Sequence, residues 1–180
     1  MINPITIDPE IKKLLDKCVI GTYSFDENGF CNVEGDVRFG SRGFTKIPIK
    51  FGIVSGDFEC FINTLTTLEG SPLEVGGSFS CNSNQLTSLV GGPRKVGGTF
   101  NCNVNPLLTL DGIPEEIGGK LICSIKVGTL PYSELFNVVD KVKGDIYYTR
   151  SGKPENKDAI RRKRDIHINL QHDELGNLDI

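Results

Sequence analysis

Hydrophobic and polar positions in this chain recur with a period of 21 residues. The hydrophobic series are Phe58, Phe79, Phe100, Leu121; Val75, Val96, Ile117; Leu65, Leu86, Leu107; and Leu68, Leu89, Leu110. Cysteine and asparagine return at the same interval, at Cys60, Cys81, Cys102, Cys123 and at Asn63, Asn84, Asn105. A fixed period of roughly 20–29 residues with Leu and Asn at set offsets is typical of a solenoid.

One repeat contains a short strand followed by an irregular return. Residues 75–81 alternate with a period of two, which predicts a strand whose core-facing positions are Val75, Gly77, Phe79 and Cys81. Residues 86–93 are too few and too glycine-rich for a regular helix, so we expect an irregular or 3₁₀-like return. The strands of successive repeats would then stack side by side as a parallel sheet.

Two further series are assigned structural roles. The asparagine series follows each strand, and we expect it to satisfy buried backbone groups at the turn. The paired glycines at 76–77, 97–98 and 118–119 indicate tight backbone geometry. Ligand binding by either series is the alternative interpretation.

The chain is predicted to be organised as one solenoid with two caps. Two degenerate coils, residues 23–43 and 44–64, precede three regular ones at 65–85, 86–106 and 107–127. The pattern returns four residues late at Val142, Gly144, Ile146 and Tyr148, so a sixth coil carries a four-residue insertion within Tyr132–Val139, which looks helical. The expected units are residues 1–20, 21–150 and 151–180.

The two ends depart from the repeat. Asp8-Pro9-Glu10 combines a side-chain cap, proline at the first helical position and an acid in the first turn, which predicts a short capping helix that Gly21 ends. At the other end we expect a helix at Lys157–Asp165, a final strand at Ile166–Leu170 and a polar tail. The fold class is therefore a β-rich solenoid with a helical N-terminal cap and an α/β C-terminal cap.

Composition narrows the class of function. There are 20 basic and 23 acidic residues, a net charge of −3, which argues against a polybasic nucleic-acid binder. The sequence has no secretory signal and no apolar stretch of the roughly 18 residues that a membrane span needs, so we expect a cytoplasmic protein without a membrane partner. Four of the six cysteines hold one repeat position, which favours buried thiols over disulfides or a metal site.

The motif Phe79-x-Cys81-x-x-Asn84-x-Leu86-x-x-Leu89-x-x-x-Pro93 resembles the core of leucine-rich repeats, and most of all the short bacterial class with proline in the return. Val75 and the glycine pair replace the first leucine of that pattern. The chain also resembles Gly-rich repeat proteins encoded by large tailed bacteriophages. The resemblance covers residues 44–127 well and 23–43 weakly. It implies protein binding on the concave sheet and no catalysis.

Outward positions on the sheet are the first candidate site. The early coils carry acids, the middle coils small polar residues and the later coils a mixture that includes exposed aromatic and aliphatic groups. The candidate binding residues are Asp57, Glu59, Phe61, Lys120, Ile122 and Tyr147. Aromatic anchors in a polar field are typical of protein interfaces, and a solvated sheet face without a ligand is the alternative.

The second candidate site is the basic cluster Arg161, Arg162, Lys163 and Arg164. It would contact phosphates or an acidic protein, or it is one exposed face of the cap. No catalytic motif is present, and we expect no enzyme activity, cofactor or metal. The preferred function is a non-enzymatic solenoid that binds a host or bacterial protein, as a phage-encoded inhibitor of a defence component would. A nucleic-acid or nucleotide-binding module and a self-assembling homo-oligomer are the alternatives.

Overall fold

A computed structural model of the protein describes residues 7–123, 132–148 and 155–176. These residues form a parallel β-solenoid of about five turns with one 11-stranded sheet. The elements are α1 (Pro9–Cys18), β1 (Val19–Phe25), β2 (Cys31–Arg38), β3 (Phe51–Val54), β4 (Phe58–Glu59), β5 (Glu74–Val75), β6 (Phe79–Ser80), β7 (Lys95–Val96), β8 (Phe100–Asn101), β9 (Glu116–Ile117), β10 (Leu121–Ile122), a 3₁₀ helix (Tyr132–Asn137), β11 (Ile146–Tyr147) and α2 (Lys157–Gly176). The predicted fold class is confirmed.

Each regular turn contributes two short strands, where the sequence predicted one. Ladder A consists of β3, β5, β7 and β9, and ladder B consists of β4, β6, β8, β10 and β11. Strand β2 begins both ladders, because Cys31 pairs with β3 and Val37 pairs with β4. Within ladder B the partners Phe58, Phe79 and Phe100 are 21 residues apart, so the sequence period equals one turn.

A glycine corner separates the two ladders. A Cβ atom on Gly97 would lie 2.1 Å from the carbonyl oxygen of Gly76, and one on Gly76 would lie 2.2 Å from that of Ser55. Neighbouring turns therefore approach too closely here for any side chain. The structural interpretation of the paired glycines is confirmed, and the corner explains why the strand of residues 75–81 is interrupted.

Stacked aromatic rings form the centre of the core. The rings of Phe58, Phe79 and Phe100 are spaced 5.4 Å apart with planes within 6° of parallel, inside the range of favourable offset stacking. The cysteine row lies next to them, and Cys60, Cys81, Cys102 and Cys123 are buried free thiols. The predicted core positions Val75, Phe79 and Cys81 are confirmed, whereas Gly77 is half-exposed at the glycine corner. The interior is continuous from turn to turn.

The buried asparagine row connects each turn to the next. The side-chain amide of Asn84 donates to the carbonyl oxygens of Cys60 and Cys81, both at 3.0 Å. Its oxygen accepts the backbone N–H of Leu65 at 3.0 Å. Asn63 and Asn105 make the same donations within and between their own turns. The prediction that this series satisfies backbone groups is confirmed.

At the N-terminal end a helix and an antiparallel strand cover the first turn. The Asp8 carboxylate caps α1 by accepting the N–H of Glu10 at 2.8 Å, as predicted. The helix ends at Cys18, before the predicted Gly21, because Val19 already begins β1. Strand β1 pairs antiparallel with β2, so residues 19–25 are a hairpin arm rather than part of a coil.

The C-terminal end contains one confirmed and one wrong prediction. Leu121 pairs with Ile146, 25 residues later, so the last turn has four extra residues, and the 3₁₀ helix lies within this stretch. The predicted strand at Ile166–Leu170 is wrong, because α2 is continuous through it. The apparent alternation comes from Ile166 and Ile168, which are both exposed on the helix. The only strand-like contact found around the cap within the described ranges is the bridge between Ile146 and Glu155.

Candidate functional site

The outer face of ladder B contains all six predicted sheet residues, three in the turn of β4 and three in the turns of β10 and β11. Its middle row consists of consecutive sheet partners, Arg38, Glu59, Ser80, Asn101, Ile122 and Tyr147. The row beside the glycine corner contains Asp36, Asp57, Ser78, Thr99, Lys120 and Asp145. The row on the other side contains Gly40, Phe61, Asn82 and Asn103. The period-two alternation of the sequence also predicts Ser124 and Thr149 on this face, and both lie outside the described residues.

The corner row has a structural task that the sequence did not reveal. The Asp36 carboxylate accepts the N–H of Asp57 at 2.9 Å, and the Asp57 carboxylate accepts the N–H of Ser78 at 2.6 Å. The Ser78 hydroxyl accepts the N–H of Thr99 at 3.1 Å. Each side chain therefore satisfies a backbone donor of the following turn, and part of the acidity at Asp57 serves the fold.

The middle and far rows present groups with fewer internal contacts. Within the described part of the chain no cation lies within 4.0 Å of the half-buried Glu59 carboxylate. Ile122 is half-buried between its sheet partners Asn101 and Tyr147. The Phe61 ring lies over Gly40, where a Cβ atom would come within 2.8 Å of it. The far edge of this half-buried ring is therefore held against the backbone of the neighbouring turn.

A cation–π pair marks the far end of the face. The Lys120 ammonium lies 5.4 Å from the centre of the Tyr147 ring. Such a contact is attractive because the ring face is electron-rich, and it fixes two otherwise mobile side chains. The pair joins the corner row of one turn to the middle row of the next.

Charge is unevenly distributed along the outer face. We call the strand that each turn contributes to ladder B a rung, so β2 and β4 are the first two. They carry three carboxylates, Asp36, Asp57 and Glu59, and one guanidinium, Arg38. Arg38 lies 4.0 Å from Asp36. The last two rungs carry Lys120 and Asp145, whose opposite charges cancel. The face therefore has an acidic end and a neutral end, separated by the uncharged side chains of the third and fourth rungs.

Ladder A has a different outer surface, which the sequence analysis missed. Glu116 forms ion pairs with Lys95 at 3.2 Å and with Lys143, and these hydrogen bonds lower the pKa of the Glu116 carboxyl. Arg94 and Glu115 pair at 3.3 Å one position earlier. The sequence signal for these ion pairs is the positive charge of Lys95 followed by the negative charge of Glu116, 21 residues later. These charges are matched within the chain, turn against turn.

The basic cluster is largely engaged inside the C-terminal cap. Arg161 and Arg164 both bind the Asp140 carboxylate, at 2.9 and 2.6 Å, and hold its pKa below the ordinary value. The Lys163 ammonium lies 4.3 Å from the centre of the Tyr132 ring. Arg162 is exposed. Three of the four cations therefore dock α2 against the solenoid, which leaves this cluster less suited to a nucleic acid than its sequence suggests.

The buried thiols of the cysteine row are poor nucleophiles in the folded state. Burial raises the pKa of the Cys81 and Cys102 thiols well above the ordinary value, and that of Cys123 to about 12. A nucleophilic cysteine needs a lowered thiol pKa and access to solvent.

Comparison of the chain with protein-family models, curated proteins and solved structures finds no match. The fold itself is that of a repeat solenoid, and the family resemblance stated above stays a prediction. Of the helices in the described ranges, none has the length and apolar character that crossing a bilayer requires.

Proposed function

We propose that the protein is a non-enzymatic solenoid that binds another protein on the outer face of ladder B. The observation that carries the proposal is the contrast between the two ladders. On ladder A, Arg94 pairs with Glu115 and Lys95 pairs with Glu116 between neighbouring turns. On ladder B, Glu59 has no cation within reach in the described chain, and Phe61, Ile122 and Tyr147 present apolar surface on a rigid sheet.

The arrangement supports binding by a preorganised surface. The outer side chains sit on consecutive rungs at the regular strand spacing, and the core beneath them is fully packed. A rigid surface loses little entropy on binding. Aromatic anchors among polar groups are where binding free energy concentrates in protein interfaces.

The identity of the partner follows from the phage resemblance and is part of the proposal. A small binding solenoid encoded by a tailed phage would meet host proteins in the cytoplasm. Occlusion of a host defence protein needs affinity and bulk but no reaction, which suits a chain without catalytic motifs.

Affinity capture with matched variants tests the proposal. The wild-type protein, the double variant Glu59→Lys/Tyr147→Ala and the control Glu74→Lys on ladder A would each be used as bait in cells that express the protein. We expect one protein to be captured in near-equal amount by wild type and control and to be lost with the double variant. Equal recovery by all three baits, or no stoichiometric partner for wild type, would contradict the proposal.

A further inference from the structure

Four residues that are not glycine adopt left-handed backbone conformations at intervals of 21 residues. They are Ser41, Ile62, Ser83 and Val104, with φ values of 55°, 50°, 57° and 55°. We call these four residues the left-handed rim. The N–H groups of Ile62 and Ser83 continue ladder B by donating to the next turn at 3.0 and 2.9 Å. The conformation is therefore a property of the repeat, located where each turn leaves ladder B.

Two rim positions carry the residue types least suited to this conformation. Left-handed backbone is disfavoured for all side chains with a Cβ atom and most of all for β-branched ones. Ile62 and Val104 are β-branched, yet they are 56% and 60% exposed, so little burial within the chain offsets the strain. Serine at the alternate positions 41 and 83 shows that the repeat accepts a small polar residue there.

The two apolar side chains are separated by a distance that suits a helix. Ile62 and Val104 are two turns apart, which is about 9.6 Å at the usual spacing of neighbouring strands. Seven residues of an α-helix rise about 10.5 Å. A helix lying along the solenoid axis would therefore place apolar residues i and i+7 against Ile62 and Val104.

The charge of the neighbouring face gives such a helix a direction. Glu59 lies three residues before Ile62, and no cation lies within 4.0 Å of its carboxylate in the described chain. The two cations of the preceding turn have contacts of their own, Arg38 with Asp36 at 4.0 Å and Arg42 with the Arg38 carbonyl oxygen. We infer that the left-handed rim seats an amphipathic helix of the partner protein, with apolar residues seven apart and a basic residue near the Ile62 end. The inference rests on the proposed function and names the kind of surface that the partner presents.

Photo-crosslinking of the full-length protein tests the inference. A photo-crosslinking amino acid would replace Ile62, Val104, Glu59 or the control Val90, which is equally exposed at 59% but lies in the return segment. The proteins would be irradiated in the cells that express them, and the crosslinked peptides sequenced. We expect positions 62 and 104 to label one helical segment of one protein at sites six to eight residues apart, and position 90 to label none of it.

Sites about three residues apart would indicate an extended segment and overturn the inference, because an extended chain advances about 3.3 Å per residue. Labelling from position 59 alone would also overturn it while leaving the proposed function intact. If position 59 and the rim positions all fail to label a protein, both fail.

Substitution by the residue that the repeat itself uses provides a second measurement. Ile62→Ser/Val104→Ser should weaken binding of the crosslinked protein at least tenfold, since two apolar contacts are lost. Val90→Ser is the matched control and should leave the affinity unchanged. Equal affinity of the rim variant and wild type would exclude a helix docked on this rim.

Discussion

At the residue scale, the buried asparagines show how a single side chain links two turns. Asn84 is 4% exposed, donates to the carbonyl oxygens of Cys60 and Cys81, which neighbouring asparagines also bind, and accepts the N–H of Leu65. A shorter residue would leave the N–H of the buried Leu65 unsatisfied and remove one donor from each carbonyl oxygen. The position matters because buried polar groups cost far more unpaired than the bond contributes when formed.

Asn84→Ala should therefore lower the free energy of unfolding by about 1–3 kcal/mol. Asn82→Ala is the matched control, because Asn82 is half-buried on the outer face and contacts only side chains at 3.3 and 3.5 Å. The control should lose less than about 1 kcal/mol. Urea unfolding measures both, and equal losses for the two variants would refute the structural role of the asparagine row.

For the left-handed rim we predict the opposite, namely that substitution does not lower the free energy of unfolding. Val104→Gly relieves a conformation that costs about 1–2 kcal/mol for a side chain with a Cβ atom, while glycine itself costs about 0.5–1 kcal/mol in chain entropy. The variant should be as stable as wild type or slightly more stable. Val90→Gly has the entropy cost alone and should be destabilised. A Val104→Gly variant that loses as much as Val90→Gly in urea unfolding would argue against strain at the rim.

At the element scale, the period predicted the core and the return segments, but the ends had to be interpreted without a repeat. The alternation at Ile166–Leu170 was too short to distinguish a strand from a helix, and α2 is long and continuous. Tight backbone geometry was predicted at Gly76–Gly77, but the break in the strand there was not, because alternation continues through it. What interrupts the strand is the approach of the neighbouring turn, which lies 21 residues away in sequence.

The Asp140 carboxylate is one of the groups that dock α2. Arg164 and Arg161 lower the pKa of Asp140 from its ordinary value of 3.8, so the folded cap favours the ionised form. The contribution is present above this value and is lost as the pH falls through the lower pKa of the folded state. Because the groups are exposed, the effect is modest.

Asp140→Asn should accordingly speed amide hydrogen exchange in residues 157–168 by about two- to fivefold at pH 7, with no change in the solenoid. Asp158→Asn is the control, since the Asp158 carboxylate pairs with Arg161 of its own helix. Wild type should show the same loosening below about pH 4, whereas Asp140→Asn should not loosen further there. Hydrogen exchange that is unchanged in Asp140→Asn would show that the basic cluster does not hold the cap.

At the scale of the whole molecule, the sequence predicted the stacking of turns and placed all six sheet candidates on one face. It could not predict the left-handed rim, because Ile62 and Val104 are residue types that rarely adopt positive φ. Nor could it predict that Arg161 and Arg164 bind Asp140, a contact that spans 21 and 24 residues. Contacts repeated in every turn were visible in the sequence, and contacts made once were not.

The central claim is that successive 21-residue turns enclose one core in which the cysteines lie. Alkylation of the native protein at pH 8 tests this claim most directly, because burial raises the pKa of these thiols and excludes the reagent. The account predicts that Cys60, Cys81, Cys102 and Cys123 stay unmodified under conditions that label all four in urea. Rapid modification of any of them in the native state, or disulfides between them, would contradict it.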